Sequence, residues 1–133
     1  MTSYAWPLQQ AVYSALVSAA ISGVVKIVDH QIDKPSESDF PYVQIGEDGQ
    51  SLQDDVSCAD GSEEILNLHV WSRERKQRQI KQIMGGIHDA LHNTTLTVSG
   101  LASCHAFVDG ERILNDPDGK TRHGVVTLRI YCR

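Results

Sequence analysis

Six histidines, three cysteines and several acidic clusters are the residues of this chain that could do chemistry, so their spacing is the first question. His88 and His92 are one helical turn apart, a spacing that can set two imidazoles on one ion. Two ligands are too few for zinc, however. Asp89 points off that face, and His30, His69, His105 and His123 fall in separate elements. Histidines near a helix C-terminus are also favoured by the helix dipole. The pair therefore reads as structural, and neither a metal ion nor any other cofactor is expected. Asp116-Pro117-Asp118-Gly119 resembles the start of a calcium loop but lacks the further acidic ligands and the terminal Glu. With Pro second and Gly fourth, it reads as a turn. Cys58, Cys104 and Cys132 are odd in number and have no CxxC spacing, so neither a disulfide framework nor a zinc site follows from them. Cys104 and Cys132 lie in strand-like patterns and are expected to be free, small, buried apolar groups. There is no Gly-rich phosphate loop, nucleophile elbow or HExxH motif, and nothing orders the serines and histidines into a triad. No catalytic residue is assigned, and the chain is not expected to be an enzyme.

Composition narrows the classes further. A chain of 133 residues has the size of one domain, expected to span 1–133. With 41% hydrophobic and 22% charged residues it has a globular composition rather than a disordered one. The formal charge of −5 argues against a nucleic-acid-binding surface, which would carry a basic excess. The one basic cluster, from Arg73 to Arg78, reads as the solvated start of a helix. No apolar run approaches the roughly 20 residues that span a bilayer, so no membrane partner is expected. The first residues lack the basic region of a signal peptide, which predicts a cytosolic product.

The elements follow from periodicity. The stretch from Glu63 to Arg73 predicts a central strand, with Leu66, Leu68 and Val70 on one face and Ile65, Asn67, His69 and Trp71 on the other. A first helix starts at Pro7, a residue suited to the first helical position. It carries Leu8, Val12, Ala15, Leu16 and Ala19 on its apolar side and is expected to end at a Gly23 cap. Short strands are predicted from Val24 to Asp29 and from Pro41 to Gly46, separated by a polar loop. Residues 47–61 are acidic and glycine-containing with almost no apolar periodicity, and read as a long exposed loop. Loops of that length are uncommon in small domains and are functional or disordered when they occur. The second helix is expected from Glu74 to His92 with Ser72 as N-cap, and with Ile80, Ile83, Met84, Ile87 and Leu91 as a clean stripe. Gly85-Gly86 within it costs about 1 kcal/mol per glycine and permits close approach of another backbone or marks a bend. A strand from Leu101 to Val108, a turn at Asp109-Gly110 and a last strand from Gly124 to Arg133 complete the chain. The order α-β-β-β-α-β-β predicts an α+β fold: a mainly antiparallel β-sheet with two main α-helices packed on one face.

Four stretches together resemble a family of phage tail-completion proteins: Leu8-Gln9-Gln10-Ala11-Val12-Tyr13-Ser14-Ala15-Leu16, Pro41-Tyr42-Val43-Gln44-Ile45-Gly46-Glu47, Leu68-His69-Val70-Trp71-Ser72-Arg73, and Asp116-Pro117-Asp118-Gly119-Lys120-Thr121-Arg122-His123-Gly124. Their order and spacing cover almost the whole chain. The resemblance implies a tail-terminator-like fold and a structural virion protein of a phage, prophage or gene transfer agent. Such a protein caps the tail tube as a hexameric ring at the head–tail interface, after assembly in the host cytoplasm. The implied partners are other copies of the chain, the tail tube protein and the head-completion or connector protein. DNA would pass the lumen without specific binding, as an acidic subunit repels phosphate. Ring formation of this kind is a heterologous contact that closes. Tyr42 and Trp71 are candidate subunit or docking contacts because aromatics are enriched at interfaces, although Trp71 could equally just cover the sheet. Arg73 beside them and Asp54 and Asp55 in the acidic loop join the set. That loop either becomes ordered on docking or is a tolerated surface loop. The alternatives are a head-completion or connector ring protein of the same particle, and a small metal-binding enzyme using His88 and His92.

Overall fold

The long strand in the middle of the chain is paired on both sides, and everything else is placed by it. The computed structural model describes residues 5–46, 48–54, 61–98 and 103–132, apart from the side chains of residues 53, 54 and 61. In chain order the elements are α1 (Ala5–Ala19), β1 (Lys26–Val28), a 3-10 turn (Glu37–Asp39), β2 (Tyr42–Ile45), β3 (Gln50–Asp54), β4 (Gly61–Ser72), α2 (Arg78–Leu91), β5 (Thr94–Leu96), β6 (Cys104–Asn115) and β7 (Arg122–Cys132). The sheet order is β1-β2-β4-β7-β6-β5, with β3 also on β4. All pairings are antiparallel except β1 with β2. One flank of β4 is shared: β2 pairs with residues 68–71 and β3 with residues 61–65.

Alternation decides the layers. Leu68 and Val70 of β4, Val126, Leu128, Ile130 and Cys132 of β7, Cys104 and Ala106 of β6, and Val43 and Ile45 of β2 are all buried in one core. Helix α2 closes over it with the predicted stripe Ile80, Ile83, Met84, Ile87 and Leu91, every one buried. It comes closest at Gly124, where a Cβ would sit 2.6 Å from Met84 Sδ and 3.2 Å from Ile80 Cδ1. Helix α1 buries Leu8, Val12 and Leu16 and touches α2 and both edge strands, β1 and β5, so the sheet curls around the helices. The fold is thus the expected α+β arrangement, with both helices on one face.

Several local expectations are corrected. The first helix ends not at Gly23 but at Ala20, which adopts φ 48° and donates its N–H to Val17 O at 3.1 Å; Ala19 is exposed. The second helix begins at Arg78, and Ser72 does not cap it. Ser72 is instead the buried last residue of β4, donating to Gln79 Oε1 at 2.6 Å and accepting from the Glu74 N–H at 3.2 Å. Residues 50–54 of the expected loop form β3, because pairing to the acidic half of β4 satisfies backbone groups that an apolar pattern would not have announced. Asp109-Gly110 is not a turn: β6 runs on through it to Asn115, and the register shift between Val108 and Gly110 is a bulge. Strand β5 carries too short a pattern to be anticipated. Cys104 and Cys132 are not free thiols but a disulfide, formed because register places them opposite each other on β6 and β7 with Cα atoms 4.1 Å apart. The Asp116–Gly119 turn is as expected, with Gly119 at φ 73° and its N–H bonded to Asp116 O at 3.0 Å.

Candidate docking face

With both helices on one side, the opposite face of the sheet is free to display side chains, and register sorts them into rows. Tyr42, Trp71, His123 and Leu114 form one row across β2, β4, β7 and β6; Gln44, His69, Val125 and Arg112 form the next. Trp71 and His123 stack with centroids 3.9 Å apart and planes within 6°, and Tyr42 stacks on the far side of Trp71 at 6.2 Å. Trp71 Nε1 donates to Gln44 Oε1 at 3.3 Å. Tyr42 is itself buried, and burial raises its hydroxyl pKa.

A polar chain runs beside the stack. His69 Nδ1 lies 2.7 Å from His123 Nε2, and His69 Nε2 lies 3.3 Å from Asp48 Oδ1. Asp48 also accepts from Asn67 Nδ2 at 3.1 Å, and Asn67 in turn accepts from Thr127 Oγ1 at 2.8 Å. Each nitrogen between two partners carries a proton or accepts one, never both, so two neutral rings fit one arrangement. His123 Nε2–H donates to His69 Nδ1, and His69 Nε2–H donates to Asp48. Burial, then the neighbouring His69, pushes the His123 pKa down to about 4; Asp48 lies below the ordinary carboxylate range through its bonds to His69, despite partial burial. Gly46 makes room for this chain, since a Cβ there would stand 2.6 Å from Asn67 O and 2.8 Å from His69 Nε2. The network positions rings and holds a fixed pattern of polarity.

Arg73 lies at the C-terminal end of β4. Its Cζ sits 4.2 Å over the Phe40 ring, its Nη1 donates to Glu37 Oε1 at 2.6 Å and its Nε to Thr121 Oγ1 at 3.3 Å. It therefore ties the 3-10 turn to the β6–β7 hairpin. Phe40 packs on Tyr42 at 5.3 Å. Of the residues singled out from sequence, Tyr42, Trp71 and Arg73 are thus gathered at one place. Asp54 ends β3 opposite Gly61, at the other end of β4, and Asp55 lies outside the described residues. His88 and His92 do stack, at 4.5 Å, and His92 Nδ1 accepts the Val108 N–H at 3.0 Å. Among the described residues, no group of three or more His, Cys, Asp or Glu could hold a metal ion. Sequence reasoning missed Asp48, His69 and His123 as a unit. Their signal was polar residues on the outward positions of two strands, and only register joins them.

Comparison with known proteins adds to this geometry. The model of a family described as "Tail completion protein gp17" matches residues 5–133. Among solved structures, a chain from the virion of a native gene transfer agent particle superposes with a TM-score of 0.80 at 16% identity, over 99% of this chain and 98% of that one. A second solved chain gives a TM-score of 0.66 at 9% identity, over 96% of this chain and 94% of that one. No curated protein matches. At these identities the structural likenesses speak for the fold.

Proposed function

The chain belongs to the tail completion protein gp17 family, and from that premise we propose that it is the tail terminator of a long-tailed phage, prophage or gene transfer agent. The single observation that carries this reading is the family match over nearly the whole chain. In this role residues 1–133 act as one domain, and six copies close into a ring that caps the finished tail tube. The ring presents its other side to the head-completion or connector protein, and DNA passes through the lumen without specific binding. The work is assembly, not catalysis: shape and charge are matched to the rings above and below, as a heterologous contact that closes requires. The protein is then made in the host cytoplasm and resides at the head–tail interface of the virion.

The outward face supports a docking role. The half-buried rings of Trp71 and His123, backed by the buried Tyr42, offer a rigid aromatic edge, and such surfaces lose little entropy on binding. Arg73 borders it, while Asp54 and Asp55 stay candidate contacts by their place in the sequence. The experiment is the native mass by light scattering together with negative-stain images of tails lacking this protein, to which it is added back. A mass near six subunits and capped tail ends are expected. Tails whose ends stay bare at saturating protein would overturn the reading.

A further inference from the structure

The sheet has two bare edges, and they stand at the same height. Register carries three rows through β2, β4 and β7, from Lys26 to Leu114, from Ile27 to Ile113 and from Val28 to Arg112. Strand β5 covers β6 only at residues 104–106. Among the described residues, no strand pairs with the far side of β1 or with β6 from 109 to 115. Bare edges of this kind are templates for another chain. The β1 edge is also bordered by exposed apolar side chains, Trp6, Tyr13, Val17 and Val25, and Leu114 is exposed on the β6 edge. Between α1 and β1 lie two adjoining crevices of about 470 and 280 Å³, which share Tyr13 and Ile27.

The two edges match in their backbone as well. Gly46 N–H bonds Asn67 O, so by alternation Gln44 and Tyr42 turn their backbone groups to β4, while Val43 and Ile45 turn theirs to β1. In the parallel β1–β2 pair, Ile27 lies opposite Val43 and therefore turns its own N–H and C=O to the open edge. On the other side, Asp116 N–H bonds Thr121 O, so Leu114 and Arg112 face β7 and Ile113 faces the open edge. Ile27 and Ile113 are in one row, and both pack partly buried against the core on the helix side of the sheet. One parallel and three antiparallel pairings separate β1 from β6, so the two strands run in opposite directions.

We propose that β6 of one copy adds to β1 of the next, Ile113 opposite Ile27, so that the sheet runs on from subunit to subunit. The inference rests on the ring reading and names the contact that builds it. The occupant is a second copy because the chain's own two edges fit each other. In a copy of the same orientation the pairing is antiparallel, Ile113 and Ile27 exchange both backbone bonds, and their side chains fall on the same face. Ile113 then covers the crevices beside Tyr13 and Ile27. Helix α1 carries no charged residue, so covering its outer side strips no ion of water. An edge on one flank with its complement on the other is the arrangement of a heterologous contact.

The test is cross-linking by paired cysteines in a Cys58→Ser background, each chain checked for wild-type circular dichroism. Val28→Cys with Arg112→Cys is the matched pair, directly opposite in the proposed contact at about 4.5 Å between Cα atoms, within reach of a disulfide. Val28→Cys with Leu114→Cys is displaced by two residues, to about 7–8 Å. Within one copy these positions lie four strand spacings apart, roughly 19 Å, so every link joins two copies. Mild oxidation is run on concentrated free protein and on protein added back to tails. The matched pair should give a covalent ladder ending at six copies, and the displaced pair at least about tenfold less. Ile113→Pro, which removes the edge-facing N–H, should need at least about tenfold more protein to associate in light scattering. Should that variant not fold, the cysteine pairs decide alone. A matched pair that links no better than the displaced one overturns the inference, whether the wild type is a multimer or a monomer. If such protein still forms six-copy rings and caps tails, the terminator reading stands and another contact builds the ring. A ladder from the matched pair with tails left bare keeps the contact and removes the terminator reading.

Discussion

At the scale of single residues, the histidine chain makes the protein sensitive to acid in a defined window. His123 titrates near pH 6.5 when unfolded and at about 4 in the fold, chiefly through burial and then through the neighbouring His69. Arg112 pushes in the same direction, while Asp116 and Asp48 oppose it. A depressed histidine pKa means that the unfolded chain takes up a proton the folded chain refuses. The stabilising effect is therefore complete above pH 6.5 and is lost as pH falls toward 4. The thermal midpoint should drop across that window more steeply for the wild type than for His123→Phe, which keeps a flat ring against Trp71 and removes the titration. Parallel pH profiles for the two would show that His123 does not govern the acid response. None of this was legible beforehand, because His69 and His123 are 54 residues apart and meet only through the register of β4 with β7. A histidine count signals chemistry; partners are a property of the fold.

At the scale of elements, the sequence was most readable where one face is buried without interruption. The α2 stripe and the last strand, β7, appear as read, since a buried face constrains every third or fourth, or every second, residue. Legibility failed where backbone pairing rather than apolar burial holds a strand, as in β3, and where a bulge continues a strand through an Asp-Gly pair that usually turns it. The glycine pair of α2 shows why a composition cue can hold two answers. A Cβ at Gly85 meets nothing within 4 Å, whereas one at Gly86 would stand 2.9 Å from Ile21 Cγ2. Gly86 thus lets the segment after α1 pack on α2, and Gly85 is a plain helix penalty. Gly85→Ala should stabilise the protein by up to about 1 kcal/mol in urea unfolding. Gly86→Ala gains the same propensity but forces Ile21 to move, and should come out neutral or destabilising. Equal gains at both positions would mean that the Ile21 contact carries no constraint.

At the scale of the whole molecule, α1 decides whether the curled sheet has a closed core. It reaches both edge strands, and its Leu8, Val12 and Leu16 are almost entirely removed from water. Full burial of such side chains is worth about 1.5–3 kcal/mol each, so the three together rival the total stability of a typical domain, about 5–15 kcal/mol. The helix cannot contribute this by itself: 15 residues are marginal for an isolated helix, and no acidic residue in its first turn or basic residue in its last turn assists it. Its order is borrowed from the surface it covers. Removing residues 1–22 should therefore uncover Val43, Ile45 and Leu96 rather than merely shorten the protein. The expected result is loss of the cooperative thermal transition and strong binding of a hydrophobic dye at neutral pH, with strand signal partly retained. A truncated chain that still melts cooperatively near the wild-type midpoint would show that the sheet and α2 form a complete core. In that case the apolar side of α1 would be a docking surface merely folded back on its own subunit.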